Sequence, residues 1–143
     1  MKKLLTLIAL VLFSKLGHGQ QVRYSRDVFG NTFARDQYGN ILSAYSHDVF
    51  GNTVQKDRFG NTQSTYSNDV FGNIVKKYQF GNTQSIFADD VFGNTIMKDQ
   101  FGNTQYTFFK DAFGNTVVKD EYGNTQGRYS KDAFGNIIYT PGP

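Results

Sequence analysis

Cysteine is absent from this 143-residue chain, so no disulfide, thiolate metal site or lipid-modified N-terminal cysteine can be built. Proline is confined to Pro141 and Pro143, and beyond residue 19 there is one histidine, His47, and one glutamate, Glu121. Hydrolytic catalysis needs a nucleophile, a base and an orienting group that meet at one point. So thin a stock of these residues argues against an enzyme, and no catalytic residue, metal or cofactor is expected. His47 occupies a repeat position held elsewhere by Arg26, Asn68, Asp89, Lys110 and Lys131, which marks it as a tolerated surface residue. Long apolar runs are missing too. Leu4 to Phe13 is too short to span a bilayer as a helix. With Lys2 and Lys3 before it and Gly17-His18-Gly19 after it, it reads as a secretory signal over residues 1–19, which starts the mature chain at Gln20.

An excess of either charge is lacking as well. The formal +3 of the whole chain comes from fifteen basic against twelve acidic residues. Lys2, Lys3 and Lys15 leave with the signal, while every acidic residue lies beyond Gln20, so the mature chain is near neutral. The footing for a nucleic-acid or anionic-membrane partner goes with them. Weak mutual repulsion permits self-association instead. Export without disulfides points to a bacterial source, with the protein extracellular or on the cell surface.

What is present is repetition. Asp-(Val/Ala)-Phe-Gly-Asn begins at Asp27, Asp48, Asp69, Asp90, Asp111 and Asp132, at intervals of 21 residues with none inserted or lost. A second copy follows nine residues into each unit, as at Asp57-Arg58-Phe59-Gly60-Asn61. The array divides into a half unit at 20–26, five full units over 27–131 and a half unit at 132–143, so residues 20–143 form one domain without a linker.

Asp, any two residues, then Gly is the signature of a type I turn closed by a glycine at positive φ. The structural turn residues are therefore Asp27 and Gly30, Asp48 and Gly51, Asp69 and Gly72, Asp90 and Gly93, Asp111 and Gly114, and Asp132 and Gly135. Tyr78 replaces the aspartate in one copy, and that turn is expected to be the least well formed. Segments between turns, such as 52–57 and 61–67, are rich in Thr, Val, Ile, Tyr and Phe and read as strands. A Gly-Asn pair every nine to twelve residues rules out helix.

Two all-β architectures fit: a coiling antiparallel meander of hairpins, or a β-solenoid with one unit per coil. Turn chemistry favours hairpins, and so does charge. A solenoid would stack Asp48 on Asp69 on Asp90 at roughly 4.8 Å, at about 0.9 kcal/mol per pair even in water. Parity favours the solenoid. Alternating spacings of nine and twelve shift a meander by an odd number of residues per unit, which would send Phe33, Val54, Val75, Ile96 and Val117 to opposite faces in turn. A meander therefore needs one compensating bulge per unit.

Asp-Ala-Phe-Gly-Asn at 111–115 and 132–136, with the 21-residue period, resembles the tyrosine-aspartate (YD, or RHS) repeats of bacterial surface and toxin-delivery proteins. That resemblance implies coiling antiparallel sheets of hairpins. The chain departs from it in placing tyrosine three residues before aspartate, as in Tyr66-Ser67-Asn68-Asp69. Gln79-Phe80-Gly81-Asn82-Thr83-Gln84-Ser85 is more distantly similar to curli fibre subunits, without their regular Ser, Gln and Asn spacing.

Asp48 and Asp57, nine residues apart, invite comparison with calcium-lining aspartates. One glycine per turn is fewer than the nonapeptide calcium repeat uses, so turn capping is the plainer role. The eleven turn aromatics, Phe29 through Phe134, together with Tyr45, Tyr66, Phe87, Phe108 and Tyr129, are expected to pack as a core. Two functions follow. In the first, the protein is structural and self-associates end to end through open strand edges at its termini, a functional amyloid being one form. In the second, it is a monomeric adhesion module that recognises a glycan or a cell-surface protein through a sheet face bearing Tyr106, Phe108 and Phe109. A dozen strands closed into a barrel would leave no edge for polymerisation. Neither function involves nucleic acid or membrane insertion.

Overall fold

A computed structural model of the chain describes residues 20–142; the expected signal at 1–19 lies outside them. The described residues form twelve strands and no helix. In chain order they are β1 (Val22–Arg26), β2 (Thr32–Arg35), β3 (Ile41–His47), β4 (Thr53–Asp57), β5 (Thr62–Asn68) and β6 (Ile74–Tyr78), then β7 (Thr83–Asp89), β8 (Thr95–Asp99), β9 (Thr104–Lys110), β10 (Thr116–Asp120), β11 (Thr125–Lys131) and β12 (Ile137–Pro141). Each pairs antiparallel with its neighbours in sequence, and β1 pairs with β12 to close a barrel. The architecture is thus the hairpin meander, closed on itself. The solenoid is excluded because strands within a unit pair antiparallel through tight turns.

The turns have the chemistry their sequence implies. In the first, Gly30 takes φ +85° and donates its N–H to the Asp27 carbonyl at 3.2 Å, while the Asp27 N–H reaches the Asn31 carbonyl at 2.9 Å. One Asp27 carboxylate oxygen accepts the N–H groups of Phe29 and Asn31, and the other accepts the Asn31 amide. Asp48, Asp69, Asp90, Asp111 and Asp132 repeat this set, with Gly51, Gly72, Gly93, Gly114 and Gly135 at positive φ.

The bulge that parity demands is present in every unit. Register slips between Ala34 and Arg35, Gln55 and Lys56, Lys76 and Lys77, Met97 and Lys98, and Val118 and Lys119. The extra residue is Leu42, Gln63, Gln84, Gln105 or Gln126 on the longer strand. Three of these glutamines donate back to the aspartate of the preceding turn: Gln63 to Asp57, Gln105 to Asp99 and Gln126 to Asp120. In these three hairpins bulge and turn are one hydrogen-bonded unit.

The Tyr78 turn keeps its backbone bonds, Gly81 to Tyr78 and Tyr78 to Asn82, both at 2.9 Å. It has no carboxylate to gather the remaining donors, and the side-chain oxygen of Gln84 is buried without a hydrogen-bond partner. Restoring the repeat residue with Tyr78→Asp is expected to stabilise the fold by about 1 kcal/mol, the net worth of a hydrogen bond or two. A thermal melt would show this as a rise of about 4 °C. An unchanged or lower midpoint would mean that the carboxylate contributes nothing to these turns.

Alternation along the strands sends one set of side chains into the lumen. Val22, Tyr24, Tyr45, Tyr66, Phe87, Met97, Phe108, Val118, Tyr129 and Tyr139 form most of the core. Ser43, Thr53, Gln55, Ser64, Lys76 and Ser85 are buried beside them, so the lumen is polar on the β3–β7 side. There the Tyr66 hydroxyl donates to the Gln55 side-chain oxygen at 2.7 Å, and the Lys76 ammonium lies 5.7 Å from the Tyr66 ring centre. Burial pushes the phenols of Tyr24, Tyr45, Tyr66 and Tyr129 well up, and that of Tyr139 up to about 12. The lumen therefore holds neutral rings at physiological pH. Gly127 takes the place of Ser43, Ser64 and Ser85 in its unit because a side chain there would land on the Tyr139 ring.

The five residues that parity kept on one face, Phe33, Val54, Val75, Ile96 and Val117, lie on the outer wall, since their neighbours Ala34, Thr53 and Gln55 point inward. The two half units meet at the seam. Ile137 pairs with Tyr24 there as Thr53 pairs with Tyr66 and Ile74 with Phe87 within units. The termini thus complete a sixth unit across the closure. This corrects the expectation of open edges: within the segment from Gln20 to Arg26, which has no proline to blunt it, Val22 to Tyr24 pair with β12.

Candidate functional site

In a meander the turns alternate between two ends. Six turns, beginning at Asp27, Asp48, Asp69, Asp90, Asp111 and Asp132, stand on a first rim. The other five, beginning at Asp36, Asp57, Tyr78, Asp99 and Asp120, stand on a second rim, which both ends of the described chain share. Asp48 and Asp57, the pair considered for calcium, are therefore at opposite ends of β4, with carboxylates occupied by turn amides. Among the described residues no group of three His, Cys, Asp or Glu could hold a metal ion.

The aromatic side chains divide sharply, which corrects the expectation of a single packed set. Tyr45, Tyr66, Phe87, Phe108 and Tyr129 are core residues as expected. The eleven at the turns are 74–90% exposed. The reason is geometric: the third residue of a four-residue turn projects past the strand ends, where no wall stands beside it. On the first rim each phenylalanine follows Val28, Val49, Val70, Val91, Ala112 or Ala133, and the four valines are 92–94% exposed. The first rim is therefore a crown of six apolar pairs. On the second rim the partner residues are Gln37, Arg58, Gln79, Gln100 and Glu121, so that rim is aromatic but polar between its rings. The Arg58 guanidinium lies 4.8 Å from the Phe59 ring centre.

The sheet face expected at Tyr106, Phe108 and Phe109 does not exist as one surface. Phe108 is buried in the lumen with Tyr106 packed against the same core, while Phe109 points outward beneath Lys119, whose ammonium is 5.0 Å from its ring centre. Consecutive strand residues face opposite sides, so a cluster in sequence is split in space. His47 is exposed at the first rim, its Nδ1 3.4 Å from the Thr53 hydroxyl. A cleft of about 180 Å³ opens at the seam beside the first rim, lined by Tyr24, Arg26, Thr32, Phe134 and Ile137 among others. It is smaller than the pockets that take drug-sized ligands.

The rims were missed in sequence because phenylalanine signals burial. The signal that could have found them is the turn position itself, which fixes each ring outside the wall.

Charge is unequal between the two ends. Around the first rim, taking each turn with the residue before it, Arg26, Lys110 and Lys131 stand against Asp89 and the six turn aspartates, a net of −4. Around the second rim Arg35, Lys56, Arg58, Lys77, Lys98 and Lys119 stand against Asp36, Asp57, Asp99, Asp120 and Glu121, a net of +1. Arg23 and Arg128 stand on the outer wall, the Arg128 Nε 3.7 Å from the carboxylate of first-rim Asp111, and Lys76 is buried in the lumen.

These features define a closed twelve-stranded antiparallel barrel whose distinctive surfaces are its two ends. No family model and no curated protein matches the chain. Among solved structures the barrel is similar to a protein from Arabidopsis thaliana determined by X-ray crystallography. The TM-score is 0.68 at 14% sequence identity, over 87% of this chain and 80% of that one. At that identity the likeness is one of fold.

Proposed function

We propose that the chain is a secreted, non-enzymatic structural protein of the bacterial cell surface or extracellular matrix that associates with itself through the ends of its barrel. The observation that carries this reading is the exposure of eleven aromatic rings and four valines at the turns. Apolar surface gathered in this way is rare on a protein that works alone in water. The near-neutral charge of residues 20–143 adds little repulsion between copies. The route differs from strand-edge pairing, because β1 and β12 satisfy each other. A non-enzymatic role is supported by the scarcity of histidine and glutamate and by turn carboxylates already occupied by amide donors.

Rings standing free in water also suit stacking on sugar faces, so a monomeric glycan-binding module is the second reading. Size-exclusion chromatography with light scattering on residues 20–143 separates the two. Mass rising with concentration is expected. A single barrel's mass throughout, with retention on a glycan array, would replace self-association by the second reading.

A further inference from the structure

Resting on the self-association just proposed, we infer that the barrels stack coaxially head to tail, the first rim of one copy seated on the second rim of the next. Both ends carry projecting aromatic rings, six on the first rim and five on the second, so either could supply apolar contact. Charge separates the arrangements that use the first rim. Two first rims face to face would oppose −4 to −4, whereas first on second opposes −4 to +1. The contrast is sharpest at the residue before each turn. On the second rim it is basic in all five turns, Arg35, Lys56, Lys77, Lys98 and Lys119, whereas on the first it is Asn68 or Asp89 in the two units opposite the seam.

Shape agrees with charge. The second rim has a turn at five of six positions and the two ends of the described residues at the sixth, so its five turns are spaced like those of the first. The valines and alanines of one crown can then enter between the aromatic tips of the other. The contact is heterologous: each copy uses one surface as donor and a different one as acceptor. Such contacts do not close when the operation is translation along an axis, and the product is a polar column.

Two variants test this. The first-rim variant carries Phe50→Ser, Phe71→Ser and Phe92→Ser with Val49→Ser, Val70→Ser and Val91→Ser. The second-rim variant carries Phe59→Ser, Phe80→Ser and Phe101→Ser. All these side chains are exposed at turns, and an unchanged circular dichroism spectrum checks that the barrel is kept. Head-to-tail stacking predicts that each variant alone is a monomer by light scattering and that an equimolar mixture forms a one-to-one dimer, since one retains the surface the other lacks. A dimer of either variant alone would overturn the inference in favour of pairing between like rims. Variants that associate as well as the parent would overturn the use of the rims while leaving self-association intact. A parent chain that is monomeric throughout would instead remove the reading beneath it. Salt gives a check that needs no variant. Sodium chloride screens attraction between opposite charges, so the parent's association should weaken between 50 and about 500 mM, and strengthening would count against opposed charges at the contact.

Discussion

Tyr45→Ala is expected to cost about 3–5 kcal/mol of folding stability, the usual loss when a large buried ring becomes alanine. Tyr45 is 1% exposed and reaches the lumen from β3 between its pairing partners Thr32 and Gln55. Among the described residues no helix or loop enters the barrel, and the lumen is filled by side chains of the wall. A cavity left there has few neighbours free to collapse into it. Phe50, five residues further on, is the matched control. It is 85% exposed, and Phe50→Ala should change stability by no more than about 0.5 kcal/mol. Urea titrations of the two variants against the parent supply both numbers. Equal losses would mean that the turn rings hold the fold together as much as the lumen rings do, and would undo the division of the aromatics described above.

Acid should unfold the barrel cooperatively. Ten turn aspartates hold their protons less tightly when folded than the ordinary carboxyl value of 3.8. For Asp57 and Asp99 the backbone N–H of the asparagine four residues on is the chief cause, and for Asp36 it is the Asn40 side-chain amide. In the other seven, desolvation is the largest single influence and pushes upward, but the amide donors of the turn together outweigh it. Each depressed carboxyl favours the folded chain fully above its unfolded value, and that contribution is lost as pH falls through the lower folded value. The thermal midpoint should therefore be level above about pH 5 and fall steeply below about pH 4. Asp57→Asn keeps an acceptor in the turn and removes the titration, so this variant should lose less on acidification than its parent. A melting curve indifferent to pH down to 2 would show that these carboxylates are not held by their turns.

The turns and the compensating bulges were legible in the sequence because both are matters of local geometry and counting. Asp and Gly three apart specify a reversal, and spacings of nine and twelve cannot be reconciled on a flat register without one extra residue per unit. Which face turns inward was not legible. The inward set includes Ser64, Gln55 and Lys76, while Val54 and Val75 face out, the reverse of the usual reading of hydrophobicity. A narrow lumen needs rings and small polar spacers more than it needs branched aliphatics. Closure was half legible. The half units at each end are visible in the sequence, but their union depends on the accumulated curvature of eleven hairpins, which no single segment records. The candidate face at Tyr106, Phe108 and Phe109 failed for a simpler reason, since neighbours in a strand look away from one another.

Splitting the sixth unit between the ends of the chain turns copy number into a circumference. In an open array an added 21-residue segment lengthens the product and leaves its cross-section alone. Here each unit supplies two strands of the wall, and the diameter of a barrel grows with its strand count. The area to be filled then rises as the square of that count, while the inward side chains rise only in proportion to it. Such a gene cannot gain or lose a whole repeat without also recasting the residues that meet at the centre.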